Sequence, residues 1–258
     1  MPAPLNPFKE ALKKDELQLG CWLSMSEGYV AEMSATAGFD WLLIDGEHAP
    51  NDLRSIRDQL QVIDASPSHP IVRIPIGEPW MVKQVLDAGA QSVLVPMVES
   101  AQQAEQLVRA VRYPPTGMRG VGSSAARASK FGAIGDYLAT ADEQICLLVQ
   151  VENRAGLAAL DGILAVDGVD GVFIGPADLA ADLGHLGNPG APEVQAAIRD
   201  ALERIGKSDK ASGILAPDPA FARHCVDLGA TFVATAIDVT LFTQAIRGAA
   251  AEAQVLRK

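Results

Sequence analysis

Two acidic residues close consecutive apolar runs. The runs are Cys146-Leu147-Leu148-Val149-Gln150-Val151-Glu152 and Gly171-Val172-Phe173-Ile174-Gly175-Pro176-Ala177-Asp178, with a helix-length stretch, 153–165, between them. They read as neighbouring parallel strands, which lie about 5 Å apart. Carboxylates at the same ends of such strands can share one divalent cation, and a hard cation favours one or two protein carboxylates completed by substrate oxygens and water. Glu152 and Asp178 are therefore a candidate metal pair. Mg²⁺, Mn²⁺ or Co²⁺ suits it better than zinc, because two histidine ligands are lacking. The plainer alternative is helix capping, by Asp178 before a helix beginning near Leu179 and by Glu152 before Asn153. Taken singly the two readings balance; the pairing on adjacent strands favours ligation.

Other polar residues fall at comparable places. Strand two ends in Asp45-Gly46-Glu47-His48. An imidazole titrates near neutral pH, so His48 is the candidate acid/base, with Asp45 three residues earlier placed to orient its ring. A satisfied structural histidine is the commoner fate of a lone His. Arg73 interrupts the apolar run Ile71-Val72-Arg73-Ile74-Pro75, where an unpaired charge is costly. It pairs with Asp45 or Glu47, or it binds a carboxylate or enolate oxygen with its fork. Gln150 shares a strand face with Glu152 by the period of two, and reads as a polar contact near the metal or as a barrel-interior amide. Backbone N–H groups at the Gly175-Pro176-Ala177-Asp178 turn can hold a carboxylate or phosphate; a simple turn is equally compatible. His69, His185 and His224 read as structural. The lysines, at 9, 13, 14, 83, 130, 207, 210 and 258, avoid the strands and their C-terminal ends, which closes the Schiff-base route to carbon–carbon cleavage.

Eight β-rich runs have to position these groups: 19–24, 41–45, 71–75, 92–98, 146–152, 171–174, 213–216 and 232–236. Most are continuously apolar, as in a parallel sheet covered by helices. Helices are predicted at 28–36, 51–63, 79–87, 101–111, 154–163, 191–205, 219–228 and 241–256. Ala37-Gly38-Phe39-Asp40, Ala88-Gly89-Ala90 and Leu228-Gly229-Ala230 form a weak repeat before strands, with glycine suited to ending a helix. Eight β/α units without a composition break predict one (β/α)₈ barrel domain over 1–258. A doubly wound open sheet is the alternative, but GxGxxG after strand one and a P-loop are both absent, so no nucleotide cofactor is expected. The segment 113–144 departs from the rhythm and begins at the face opposite a barrel's usual active site. It reads as a packing or assembly element, so Arg119 and Arg127 stand outside the first rank of site residues.

Bulk properties agree. A net charge of −11 argues against nucleic acid and anionic membrane surfaces, and 48% hydrophobic content supports a large core. Cys21, Cys146 and Cys225 form no CxxC pair, which suits a reducing cytoplasm. The first fifteen residues lack a signal-type apolar core, and no run reaches the ~20 apolar residues of a membrane span.

Leu43-Ile44-Asp45-Gly46-Glu47-His48-Ala49-Pro50, the strand around Arg73, Arg112-Tyr113-Pro114-Pro115-Thr116-Gly117-Met118-Arg119-Gly120, Gln150-Val151-Glu152 and Gly175-Pro176-Ala177-Asp178-Leu179 together resemble the metal-dependent (class II) pyruvate aldolases. That family is typified by 4-hydroxy-2-oxo-heptane-1,7-dioate aldolase and 2-keto-3-deoxy-sugar-acid aldolases. The resemblance spans nearly the whole chain in order, with no departure at a chemical position. It implies a TIM barrel of the phosphoenolpyruvate/pyruvate type and a homohexamer, a trimer of dimers exchanging a C-terminal helix near 241–256. It further implies that Glu152 and Asp178 bind the metal, which pyruvate chelates through its keto and carboxylate oxygens. Arg73 would contact the keto oxygen, and the Ala177 and Asp178 amides the carboxylate. His48, assisted by Asp45, would transfer protons through a metal-bound water. Asp87 would reach a neighbouring subunit's site, and Trp22 and Leu215 would line the aldehyde pocket. The expected reaction is reversible retro-aldol cleavage of a 4-hydroxy-2-oxo acid to pyruvate (or hydroxypyruvate) and an aldehyde. Two rivals remain at this point: an acyl-CoA lyase of the malyl or citryl type, for whose CoA tail no basic patch is evident, and a non-catalytic ligand-binding barrel.

Overall fold

The computed structural model describes residues 1–257. Its strands are β1 (Gln18–Leu23), β2 (Trp41–Asp45), β3 (His69–Arg73), β4 (Ser92–Val95), β5 (Cys146–Val151), β6 (Gly171–Ile174), β7 (Ala211–Leu215) and β8 (Phe232–Ile237). Helix α1 (Pro7–Lys13) precedes β1. Helices α2 (Gly28–Ala35), α3 (Leu53–Ile63), α4 (Pro79–Asp87) and α5 (Ala101–Val111) follow β1 to β4 in turn. Then come α6 (Tyr137–Gln144) before β5, α7 (Arg154–Leu164) after it, and α8 (Pro176–Asp182) and α9 (Pro192–Ile205) after β6. Helices α10 (Pro219–Asp227) and α11 (Asp238–Ala253) complete the ring. All neighbouring strands pair in parallel, and β8 pairs with β1, so the sheet closes. This is the (β/α)₈ barrel; the open-sheet alternative is excluded by the β1–β8 ladder.

Several boundaries differ from the sequence reading. Strand β3 begins at His69 and stops at Arg73, and β4 stops at Val95. Helix α8 starts at Pro176 rather than near Leu179, using proline where a helix needs no N–H donor. The last helix starts at Asp238 instead of 241, and α1 and α6 were not anticipated. Gly38, Gly89 and Gly229 all have positive φ (93°, 112° and 100°), so the weak repeat does mark left-handed helix ends.

Alternation along the strands sorts the core into two layers. Leu42, Ile44, Val72, Val93, Val149 and Val172 pack toward the helices. The intervening residues Trp41, Leu43, Ile71, Leu94, Leu148, Phe173 and Phe232 fill the barrel. Continuing that inward row toward the C-terminal ends gives Asp45, Arg73 and Gln150. The same periodicity that fills the barrel with hydrocarbon thus delivers polar groups to its mouth.

At the other end, α1 seals the floor. Phe8 is buried, lies parallel to the His69 ring at 5.7 Å (8° between planes), and meets Phe232 edge-on at 6.0 Å. His69 reaches Ser92 Oγ at 2.9 Å, confirming it as structural. Burial holds its pKa down to about 4, so the folded protein keeps this ring neutral. The unfolded chain binds the proton already near pH 6.5, so stability from this residue is complete above that pH and drains away as pH falls toward 4. At pH 4.5 its contribution to destabilisation is on the order of 2–3 kcal/mol. His69→Gln, which keeps a polar contact for Ser92, is expected to lessen the loss of stability between pH 7 and 4.5 in urea titrations. An unaltered pH profile would contradict this.

The 113–144 segment packs at this N-terminal end. Tyr113, Ile134, Tyr137 and Ala141 form a small apolar cluster with Ala3. Arg119 is fully buried, stacks over Tyr113 at 4.5 Å and pairs with Asp87 at 2.8 Å. Arg127 donates to the Ala88 carbonyl at 3.1 Å. Both arginines hold the segment against the end of α4. Among the described residues, no helix is long and apolar enough to cross a membrane.

Candidate active site

Asp45 and Arg73 are register partners on β2 and β3. Arg73 Nε donates to Asp45 Oδ1 at 2.9 Å and Nη2 to Oδ2 at 2.8 Å, while Nη1 lies 2.7 Å from Glu47 Oε2. The sequence left Asp45 and Glu47 as alternative partners; the structure uses both. The guanidinium also sits over the Trp22 ring, 4.9 Å from its centroid. Burial would raise the Asp45 pKa, but the Arg73 fork and the Glu47 and His48 amides outweigh it and hold the carboxyl below the usual range. Glu47 goes the other way: burial raises its pKa despite Arg73 and His48.

His48 stands at the rim with its side chain 65% exposed. The expectation that Asp45 orients its ring is corrected here. Asp45 Oδ1 accepts the backbone N–H of Glu47 (3.0 Å) and of His48 (3.4 Å), so it fixes the main chain of the turn. Both Asp45 oxygens are taken by Arg73, and Asp45 makes no hydrogen bond to the imidazole. The carboxylate beside the ring is Glu47, whose Oε2 is 3.9 Å from His48 Nε2.

Glu152, just past β5, is 2% exposed. It does not cap α7, because the Asn153 side chain does, accepting from Gly156 N at 2.8 Å. Glu152 Oε1 instead accepts the Met97 N–H at 2.9 Å, and Oε2 accepts from the Gln150 amide. Met97 supplies that N–H from a left-handed backbone, φ 54°, an uncommon conformation for a non-glycine residue. Burial pushes the Glu152 pKa up; the Gln150 and Met97 donors oppose this, and the charges of Asp178 and Glu47 push it further up. Asp178 lies in the first turn of α8, exposed, and makes no cap hydrogen bond. Gly175, between them, allows the close approach: a Cβ there would lie 2.8 Å from Glu152 Cβ and 3.0 Å from Gln150 Nε2.

A pocket of 390 Å³ at the strand C-termini is lined by Trp22, Asp45, His48, Arg73, Gln150, Ala177, Asp178 and Leu215. Every residue assigned to substrate in the sequence reading lines it. Asp87 does not. It ends α4 and lines a different depression, with Gly122 and Arg127, so no single chain carries it to this mouth.

Asp45 and Glu47 are taken up by Arg73, Glu152 feels the charges of Asp178 and Glu47, and Gln150 Oε1 is buried without a hydrogen-bond donor. No group of three or more His, Cys, Asp or Glu with metal-holding geometry occurs among the described residues. Two carboxylates and surplus negative charge fit a hard divalent ion that takes its remaining ligands from substrate and water.

The family described as HpcH/HpaI aldolase/citrate lyase matches residues 18–245. This chain belongs to it. A hydroxypyruvate/pyruvate aldolase of Roseovarius nubinhibens is 61% identical over 247 residues, covering 96% of each chain. A 2-keto-3-deoxy-L-rhamnonate aldolase of Salmonella gallinarum is 54% identical over 241 residues, covering 93% of this chain and 90% of that one. The crystal structure of an HpcH/HpaI aldolase/citrate lyase family protein from Burkholderia cenocepacia superposes with a TM-score of 0.92 at 43% identity, over 96% of this chain and 99% of that one.

In this HpcH/HpaI barrel, sequence reasoning missed the Met97 amide, the joint hold of Glu47 on Arg73 and His48, and the wall formed by Ser24, Pro217, Ile237 and Val239. A left-handed methionine carries no sequence signature. Ser24 lies one residue and Val239 two residues past strands whose ends could be placed only to within a residue or two.

Proposed function

We propose that this HpcH/HpaI family member is a divalent-metal-dependent aldolase that reversibly cleaves 4-hydroxy-2-oxo acids to pyruvate, or an analogue such as hydroxypyruvate, and an aldehyde. The observation that carries this reading is that Asp178 lines one pocket with Arg73 and Gln150, that the Gln150 amide meets the buried Glu152, that the Asp178 charge acts on Glu152, and that neither acid caps a helix. Glu152 and Asp178 would hold Mg²⁺, Mn²⁺ or Co²⁺, which when bound supplies Lewis-acid stabilisation of negative charge on oxygen. Among the described residues, no lysine lines the pocket to offer the Schiff-base route. Residues 1–258 act as one catalytic domain.

Cleavage breaks the C3–C4 bond and leaves its electron pair on C3, delocalised onto the C2 oxygen as an enolate. Arg73 is preorganised for that oxygen. Asp45 and Glu47 fix the plane of its fork, and each Nη retains a second N–H for donation. The free N–H groups of Ala177 and Asp178 in the first turn of α8 receive the substrate carboxylate. His48 Nε2 takes the 4-hydroxyl proton during cleavage and returns one during addition, with the Glu47 carboxylate beside the ring. Trp22 and Leu215 bound the space for the aldehyde.

His48→Ala is expected to lower kcat by a factor on the order of 10²–10⁴, the usual range for a general acid/base. An unchanged rate would remove His48 from the mechanism. The activity is tested by dialysis against chelator, then add-back of each metal while pyruvate release from 4-hydroxy-2-oxo acids is followed, with malyl- and citryl-type thioesters in parallel. No pyruvate with any metal would leave the binding-barrel reading; thioester cleavage alone would favour the acyl-CoA lyase.

The assembly follows the same reading: a homohexamer, a trimer of dimers, with α11 exchanged between subunits. Leu241, Phe242 and Ile246 on α11 and Met33 on α2 are about half exposed, and Tyr29 on α2 is largely exposed, apolar surface that a second copy would cover. Asp87 would then serve a neighbouring subunit. The buried free thiols of Cys21, Cys146 and Cys225 suit work in the reducing cytoplasm.

A further inference from the structure

Strands β7, β8 and β1 are contiguous, and β1 stands across the ring from β5. The ends of these three strands build the wall facing Glu152. That wall is apolar at Leu215, Pro217, Ile237 and Val239, and Ser24 is its polar member. Ser24 is held by an unusual clasp. Asp238 is only 8% exposed; its Oδ1 accepts the Ser24 N–H at 2.8 Å and its Oδ2 accepts the Met25 N–H at 3.1 Å. Asp238 also receives the Val239 N–H, so one carboxylate ties the end of β1 to the start of α11. An acid in the first turn of a helix is commonplace, since it complements the helix dipole. Here, however, both oxygens are committed to a loop more than two hundred residues away in sequence. The next residue but one after Ser24, Ser26, adopts a left-handed backbone (φ 56°), so the loop is bent sharply where the clasp fixes it.

We infer that Ser24 is the polar contact for the aldehyde half of the substrate and that Asp238 is its positioning residue, which makes the enzyme favour short, uncharged, hydroxylated aldehydes. This rests on the aldolase reading above. The enolate half occupies the β3, β5 and β6 side, where Arg73, Glu152 and Asp178 lie. The aldehyde half must then extend toward β7, β8 and β1. A hydroxyl on the aldehyde meets Ser24 Oγ, and its carbon chain meets Leu215, Ile237 and Val239.

The two halves can be measured separately on the Mg²⁺-loaded enzyme. Exchange of the pyruvate methyl protons for deuterium reports the enolate half alone. Aldol addition to glycolaldehyde or to propanal, divided by that exchange rate, reports the aldehyde half. Ser24→Ala is expected to lower the glycolaldehyde ratio three- to tenfold, the effect of one lost neutral hydrogen bond, with the propanal ratio moving less than twofold. Asp238→Asn keeps the side-chain shape but sets an amide donor against backbone N–H groups. Both ratios are expected to fall about tenfold or more, with KM for the aldehyde rising and deuterium exchange retained. A merely structural role for Asp238 would depress exchange and addition together, and that result overturns its assignment. A glycolaldehyde ratio that Ser24→Ala leaves unchanged, or an equal fall for propanal, overturns the assignment of Ser24. Absence of metal-dependent exchange in the wild type overturns the aldolase reading and this inference with it.

Discussion

Glu152→Gln is expected to abolish metal-dependent turnover while leaving the barrel intact. The substitution removes one of only two carboxylates available to the cation. Lewis-acid stabilisation of a developing enolate is worth several kcal/mol, so kcat/KM should fall on the order of 10³-fold or more. The effect on folding should be small and separable. Burial already raises the Glu152 pKa, and Asp178 and Glu47 raise it further, so a neutral side chain relieves electrostatic strain there. Against that, one of the two donors, the Met97 N–H or the Gln150 amide, loses its charged acceptor. The two effects oppose each other, and Tm is expected to stay within a few degrees of wild type. Mn²⁺ binding by calorimetry with pyruvate present, alongside a thermal melt, reads both quantities. Undiminished Mn²⁺ affinity in Glu152→Gln would sink the ligand assignment, whatever the rate.

Arg73→Lys is the second large expected effect. A lysine keeps the charge but cannot satisfy Asp45 bidentately, reach Glu47 and present further N–H groups in one plane. Losing one preorganised donor to an oxyanion costs about 10²–10³ in kcat, and that is the expected fall. Arg73→Ala should be worse for a different reason. It leaves Asp45 buried at 2% exposure with no counter-charge, and breaking a buried pair from one side costs roughly 3–5 kcal/mol. The pH dependence separates the two variants. With Arg73 present, the folded-state pKa of Asp45 lies below its unfolded value of 3.8. The pair therefore stabilises above that pH, and the stabilisation is lost as pH falls through the lower, folded-state value. In Arg73→Ala that stabilisation disappears, so the variant should be most destabilised relative to wild type near neutrality and approach it in acid. Near-normal kinetics for Arg73→Lys would reduce Arg73 to a structural ion pair.

The barrel was legible because its signals are periodic. Continuous apolar strands, amphipathic helices and glycines at 38, 89 and 229 recur eight units long, and each reports a local rule. Glu152 and Asp178 could be singled out for a related reason, since each follows within a few residues of a strand that the hydrophobic pattern itself locates; their pairing as ligands remains a proposal. What remained hidden is set by side-chain direction rather than by sequence distance. Asp45 lies three residues from His48, a spacing that suggests contact. Yet its neighbour across the β2–β3 ladder, Arg73, captures both of its oxygens and leaves only the His48 backbone within reach. Asp238 was invisible because its partners, Ser24 and Met25, become neighbours only when β8 closes against β1. Asp87 shows the remaining limit: the chain's own fold pairs it with Arg119, and nothing within one barrel leads it to the mouth.

The floor of the barrel bears on traffic. With Phe8 packed against Trp41, His69 and Phe232 across it, the tube is blind, and entry and exit run through the mouth at the strand C-termini. Two fragments born in such a cul-de-sac have to queue. The piece nearer the opening departs first, and the one lodged deeper blocks the next arrival until it follows.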